Sequence, residues 1–394
     1  VYEVLPPNSQ VVVLDKLFSL HDMMTVMLEN DSDECYVWNS DQFSYDGIIS
    51  YTDLVEMIMY IFESIQIEKS EKVKNDQKGD INEKSSNLED RLKNFGIYGL
   101  YSKKISEYVE GTSIKKTAST LTSNGLEMAE EISIDKESII QELKQINIKN
   151  WQSIVSESIL WRPHTVVYAY VEEKLIDACA KMRRNKLHRI AVFDRESQLI
   201  VGTLTHKDIM LFLLQNFPKE MNNIFKFPIK EFKLLQFPSN VITGDSKQQI
   251  INAFEILLAH RISSLPIVYD QGKLLGHIHK KDLYYVLKNF DLERLANTNE
   301  VFLEIISKET GYRKSSLDNL EWFFSSDDLL INILQKLVLA PGQRLLDINQ
   351  QSRNINALIT MFDLFEFLIP LREEVVENEV QSPLLKKKAS QFGM

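Results

Sequence analysis

Four short stretches place an aspartate just past an apolar run: SYTD (50–53), THKD (205–208), HKKD (279–282) and TMFD (360–363). In three of them Ser or Thr stands three positions before the Asp. A carboxylate such as Asp53, Asp208, Asp282 or Asp363 can accept two hydrogen bonds from a ribose diol. A neighbouring hydroxyl, lysine or Arg–His pair can donate to phosphate oxygens. Such donors are His188, Arg189, Thr205 and Lys207 around the second stretch, His260, Arg261, Ser263 and Lys280 around the third, and Arg344 and Thr360 around the fourth. One copy alone would read as a helix N-cap, where Asp satisfies backbone N–H groups and suits the helix dipole. Recurrence with a matched basic residue favours a nucleotide cleft. Arg189 precedes Asp208 by 19 residues, Arg261 precedes Asp282 by 21, and Arg344 precedes Asp363 by 19. In the first copy Asp33 falls where the arginine would stand.

The elements that would hold these corners recur with them. VVVLD (11–15), LFSLHDMMTVML (17–28), YVWN (36–39), GIIS (47–50) and DLVEMIMYIF (53–62) read as strand, helix, strand, strand, helix. The same order returns over 166–217, over 240–290 and, more weakly, over 327–371, an internal repeat of about 55 residues. The repeats are bounded at 1–65, 141–217 (with a linker helix), 236–292 and 313–372. The stretch 66–140 is a charged insertion, expected to be flexible because so polar a segment buries too little to offset its ordering entropy. Within it FGIYGLYSKKISEYV (95–109) is richer in aromatics and able to dock on a partner. ESIIQELKQINIKNWQSI (137–154) reads as an amphipathic helix returning to the core, and 373–394 as a polar tail.

The 394 residues suffice for several domains, and 44% hydrophobic content supports a real core. A formal net charge of −11 argues against broad nucleic-acid binding, so an anionic ligand must be held by local cations. Two cysteines without a CxxC pair fit a reducing, intracellular, cytoplasmic setting, with neither a disulfide nor a zinc framework. No apolar run approaches the ~20 residues of a membrane span, and no signal peptide is read at Val1. GxxxxGK, GxGxxG, HExxH and GxSxG are absent, so no catalytic residue is assigned. His277 and His279 lack a third metal ligand nearby and read as phosphate-side or surface residues. ENDSDE (29–34) lacks the spacing and glycine of an EF-hand loop and reads as a solvated turn.

The strand–helix–strand–strand–helix unit with this corner resembles a CBS domain. Four in series resemble the gamma regulatory subunit of AMP-activated protein kinase, over roughly three quarters of the chain. The resemblance is carried by VYEVLPPNSQVVVLD (1–15), RRNKLHRIAVFD (183–194), LTHKDIMLFL (204–213) and AHRISSLPIVYD (259–270). It implies an α/β fold of four CBS repeats, paired into two Bateman modules that form a flat disk with adenine nucleotides near its centre. It further implies a regulatory subunit without catalysis, binding AMP, ADP or ATP, and partnered by a kinase catalytic subunit and a beta-type subunit. Asp53, Asp282 and Asp363 match ribose positions. His188, Arg189, Lys207, Arg261, Ser263, Arg344 and Thr360 match phosphate or hydroxyl positions. Asp33 and Gln343 depart from the pattern, which weakens phosphate binding at those places, while Asp208 stands where the family carries Arg and gives that slot a ribose acceptor. A scaffold that has partly lost nucleotide binding is the alternative. A module regulating a fused enzyme or channel ranks last, since neither is read in these residues.

Overall fold

In the first unit, Leu20, Met23, Met24 and Met27 recur at helical spacing, and all four are buried in a helix over Leu20–Glu29 (α1). Its start is fixed by Ser19, whose hydroxyl accepts from the Asp22 backbone N–H at 3.0 Å. The computed structural model describes residues 1–6, 10–62, 136–155, 166–216, 225–232, 241–310, 323–349 and 351–369. The insertion up to residue 135 and the tail from 370 lie outside the described residues. So does the aromatic stretch 95–109.

Each unit is built on the same small sheet. Val13–Asp15 (β1) runs parallel to Glu34–Asn39 (β2), which pairs antiparallel with Ser44–Ser50 (β3), and a helix over 51–62 (α2) follows. In the second unit the strands are Tyr168–Tyr170, Arg189–Phe193 and Ile200–Thr205, with helices Leu175–Arg184 and His206–Asn216. The third has Gly244–Asp245, Ser264–Tyr269 and Lys273–His279, with helix Ile250–Ala259. The fourth keeps Arg344–Ile348 and Ile355–Thr360, with helices Leu330–Leu339 and Met361–Leu368. Among the described residues its first strand is represented by a single parallel bridge between Phe323 and Leu346. The register breaks at the same place in every unit, between Val37 and Trp38, Val192 and Phe193, Ile267 and Val268, and Asp347 and Ile348.

The middle strand of each unit is buried on both faces, and its period of two divides it between two cores. Cys35 and Val37 point to the helix side, where they join Leu265, Ile267 and the helices of the third unit. Tyr36 points the other way and meets Ala191 and Phe193 of the second unit. Ile190, Val192, Leu345 and Ile359 share a helix-side core of the second and fourth units. Leu274, Leu346 and Leu358 close the sheet-to-sheet contact of the third with the fourth. The four units therefore pack in a cycle. Sheets join the first to the second and the third to the fourth, and helices join the first to the third and the second to the fourth.

Two connecting segments differ from the sequence reading. The expected single helix over 137–154 is two helices, Lys136–Gln145 and Ile148–Val155, and it starts inside the stretch read as insertion. It docks on the first unit and not on the second: the Leu20 N–H donates to Ile146 O at 2.8 Å and the Ile148 N–H to Phe18 O at 3.0 Å. After the third unit, an unanticipated helix over Asn299–Thr310 docks on that unit in the same way, with the Ile250 N–H donating to Asn297 O at 2.8 Å.

Candidate functional site

The four corners are the same object. In each, one carboxylate oxygen accepts the backbone N–H three residues earlier: Asp53 from Ser50 at 2.7 Å, Asp208 from Thr205 at 3.0 Å, Asp282 from His279 at 2.8 Å and Asp363 from Thr360 at 2.8 Å. The Ser50, Thr205 and Thr360 hydroxyls donate to the same oxygen. These aspartates thus stand at the third helical position and close a capping box by holding the N-cap backbone N–H. A carboxylate has about four acceptor sites, so capping by one oxygen does not exhaust it.

Across the sheet, the residue opposite each corner's strand end is Glu34 in the first unit, Arg189 in the second, Ser264 in the third and Arg344 in the fourth. This register corrects two equivalences drawn from spacing. Arg261 does not match Arg189 and Arg344. It sits at the end of helix Ile250–Ala259 with φ 54°, alongside Asp31 (46°) and Lys186 (52°) in the other units, and His260 is the cap residue of that helix. In the first unit the arginine position belongs to Glu34, and Asp33 falls one residue earlier, matching His188, Ser263 and Gln343. The spacing of 21 where the others show 19 was the one available signal.

Cations from three units meet at the middle of the cycle. Burial lowers the His188 pKa, and the charges of Arg189, Lys280 and Arg344 lower it further. Lys280 is pulled down to about 8, mainly by burial, while Asp53 and Glu56 oppose the shift. Its ammonium donates to the Thr52 hydroxyl at 3.1 Å, crossing from the third unit to the first. Burial, with Asp53 beside it, pushes Glu56 up to about 7. Burial brings Arg344 down to about 10 against the pull of Asp363. Arg344 donates to Ser264 O at 2.7 Å and to the Ser263 hydroxyl at 2.6 Å, and its Nε is buried with no hydrogen-bond partner. The His188 ring lies against His206 and Phe362, and His206 stacks on Phe365 at 4.0 Å, tying the second unit to the fourth. Glu56, Thr52 and His206 carried no sequence signal, because their role depends on contacts between units. His277, read as phosphate-side or surface, is buried at 4% exposure.

The cleft between the first and second units is different. It holds a cavity of about 240 Å³, lined among others by Asp31, Asp33, Glu34, Tyr36, Arg189 and Thr205. Arg189 forms ion pairs with Asp33 at 3.6 Å and Glu34 at 3.4 Å. Lys281, from the third unit, pairs with both Asp31 and Asp33 at 3.0 Å. Burial works against the Lys281 charge, but Asp33 and Asp31 overcome it and hold its pKa up. Glu34 accepts from the Thr203 hydroxyl at 3.0 Å and the Tyr36 hydroxyl at 3.3 Å. The turn 29–34 is therefore an ion-paired junction of three units and not merely a solvated loop. Lys207 is exposed on its helix. Among the described residues no group of three His, Cys, Asp or Glu could hold a metal, and no helix is long and apolar enough to cross a membrane. Cys35 and Cys179 are buried thiols.

The model of the CBS domain family matches residues 159–215 and 239–289, which are the second and third units. These two units have the CBS-domain fold, and the first and fourth units repeat its order of elements. The chain is similar over 371 residues, at 19% identity, to the 5'-AMP-activated protein kinase subunit gamma of Dictyostelium discoideum, covering 93% of this chain and 51% of that one. The protein of the same name from Kluyveromyces lactis is 20% identical, over 73% of this chain and 66% of that one. Protein SDS23 of Kluyveromyces lactis is 24% identical over 48% of this chain and 39% of its own length. The chain thus spans about half the length of the curated relatives it matches. The crystal structure of a Methanocaldococcus jannaschii protein, described as a proposed archaeal homologue of g-AMPK, superposes with a TM-score of 0.54 at 12% identity, over 93% of this chain and 99% of that one. That likeness concerns the fold alone.

Proposed function

We propose that the protein is an adenine-nucleotide-binding regulatory subunit of a protein kinase assembly of the AMP-activated type. The observation that carries this reading is the meeting of His188, Lys280 and Arg344, from three units, beside the corner residues Asp53 and Asp363. The buried Arg344 Nε without a partner, and the buried Ser264 hydroxyl likewise, are groups that an anionic ligand would satisfy. In this reading the phosphates of AMP, ADP or ATP lie against Lys280 and Arg344 and the His188 imidazole, and the corner carboxylates take the ribose hydroxyls. In the same reading His260, Arg261, Lys207 and Thr205 serve the ligand's periphery. The subunit performs no chemistry. Its occupancy changes how it engages a catalytic subunit and a beta-type subunit inside the cell; what supports a kinase assembly is that two relatives are named as gamma subunits of 5'-AMP-activated protein kinase. Calorimetric titration with each nucleotide at millimolar concentration tests this, and absence of binding by all three overturns it.

One observation favours a second reading, an interaction scaffold with partly lost binding: every corner carboxylate already caps its own helix, and Arg189 is already neutralised. A stable complex purified without any kinase subunit, from a protein that binds no nucleotide, would establish it instead.

A further inference from the structure

Arg189 and Arg344 stand at the same register position in the second and fourth units, each opposite a threonine that caps its corner. Each reaches across to the same turn of the neighbouring unit. Arg344 grips the turn of the third unit through a carbonyl and a hydroxyl, both neutral, at Ser264 and Ser263. Arg189 grips the turn of the first unit through two carboxylates, Glu34 and Asp33. The turns are equivalent residue for residue, Asp33 matching Ser263 and Glu34 matching Ser264. Lys281 completes the pairing of the acidic turn from a third direction.

We propose that the acidic turn Asp31–Glu34 is a resident counter-anion, which occupies the phosphate position of the first cleft from within the chain and leaves only the cleft between the third and fourth units to phosphorylated ligands. This deepens, and rests on, the nucleotide-binding reading. The carboxylates sit at the place that a phosphate must take to reach Arg189, and they do two things to it. They neutralise the guanidinium, and they repel a second anion arriving at the same spot. Glu34 is held there by the Tyr36 and Thr203 hydroxyls and is only 8% exposed, so it cannot swing out into solvent. In the opposite cleft the hydroxyl and carbonyl of Ser263 and Ser264 orient Arg344 without cancelling its charge.

The test uses the full chain, with ATP and, separately, inorganic pyrophosphate as probes in calorimetric titrations. The wild type is compared with Asp33→Asn plus Glu34→Gln, and with Ser263→Asp. The single variant Asp33→Asn, at a half-exposed position, guards against misfolding of the double one. Neutralising the turn is expected to add one binding site, at an affinity about tenfold above any residual wild-type binding there. Asp33→Asn alone should give part of that gain. Ser263→Asp should remove wild-type binding by placing a carboxylate beside Arg344. Unchanged stoichiometry in folded Asp33→Asn and Asp33→Asn plus Glu34→Gln proteins overturns the proposal. If pyrophosphate gains a site while adenine nucleotides bind no form, the resident anion stands and the nucleotide reading falls. If neither probe binds any form, both fall.

Discussion

The two clefts of this molecule share a backbone and differ in the charge at one turn. Between the third and fourth units, an arginine is oriented by neutral oxygens and has its Nε buried, with Lys280 and His188 close enough to feel its charge. Between the first and second units, the equivalent arginine is already paired with carboxylates. The lesson is that a repeated fold does not carry a repeated site. The corner aspartate, the most repeated feature of the sequence, is accounted for in all four units by the capping of its own helix. What distinguishes the units is the residue across the sheet from it: Glu, Arg, Ser or Arg.

That contrast can be broken most forcefully at Arg344. Arg344→Ala removes a partly buried charge that can make charge-assisted bonds worth about 1.5–3 kcal/mol each, and adenine-nucleotide affinity should fall on the order of 100-fold. Arg189→Ala should change affinity less than threefold, since that charge is already spent on Asp33 and Glu34. Titration of both variants checks the pair, and equal losses would erase the distinction between the clefts.

A pH series comes next. Lys280 titrates at about 8 and Glu56 at about 7, both near the middle of the cycle. A polyanion there favours the protonated form of each group, so binding takes up protons. Affinity should be fullest near pH 6.5 and fall about tenfold as the pH rises from 7 to 9. Calorimetry in buffers of different ionisation enthalpy reads the proton uptake directly, and Glu56→Gln should flatten the lower part of the curve.

Gly342 tests the arginine's support. It has φ 69°, and an added Cβ would press into the His279 ring. Gly342→Ala should lower stability by about 1–3 kcal/mol in a denaturant titration, and blunt nucleotide binding with it. Asp282→Ala removes a cap worth about 1 kcal/mol of stability, and affinity should drop about fivefold if the carboxylate also meets a ribose. Affinity that stays level while stability falls would restrict Asp282 to capping. Smallest of all is Lys281→Met. Its ion pairs are half exposed, so the melting midpoint should shift by less than the equivalent of about 1 kcal/mol, and less still in high salt.

The strands and helices were legible because their signals are local. Met23, Met24 and Met27 mark one helix face, and the alternation through Cys35, Tyr36 and Val37 marks a strand buried on both sides. The four corners were legible for the same reason, down to the atom that caps. The centre was only half legible. His188, Lys280 and Arg344 could be singled out by type, but Glu56 and Thr52 matter only because the third unit's Lys280 crosses to them. Arg261 was misplaced because a left-handed residue at a helix end lies three positions before the strand start, an offset that the spacing of 21 hinted at and that the third unit's hairpin, shorter by one, partly masked. The docking of helix Lys136–Gln145 on the first unit was hidden as well. Its apolar stripe shows that it packs, and says nothing about where.

The cyclic packing has a consequence for synthesis. The helix face of the first unit, rich in Met23, Met24, Met27, Met57 and Met59, is completed by Ile250, Phe254 and Leu257 of the third. At about 5–20 residues per second, the ribosome needs roughly 10–40 s to make the chain between them. Throughout that interval the nascent protein presents an uncovered greasy surface, soft enough in shape to suit many binders. A chain truncated before residue 241 should accordingly bind a hydrophobic dye, or a holdase chaperone, far more than the full-length protein does.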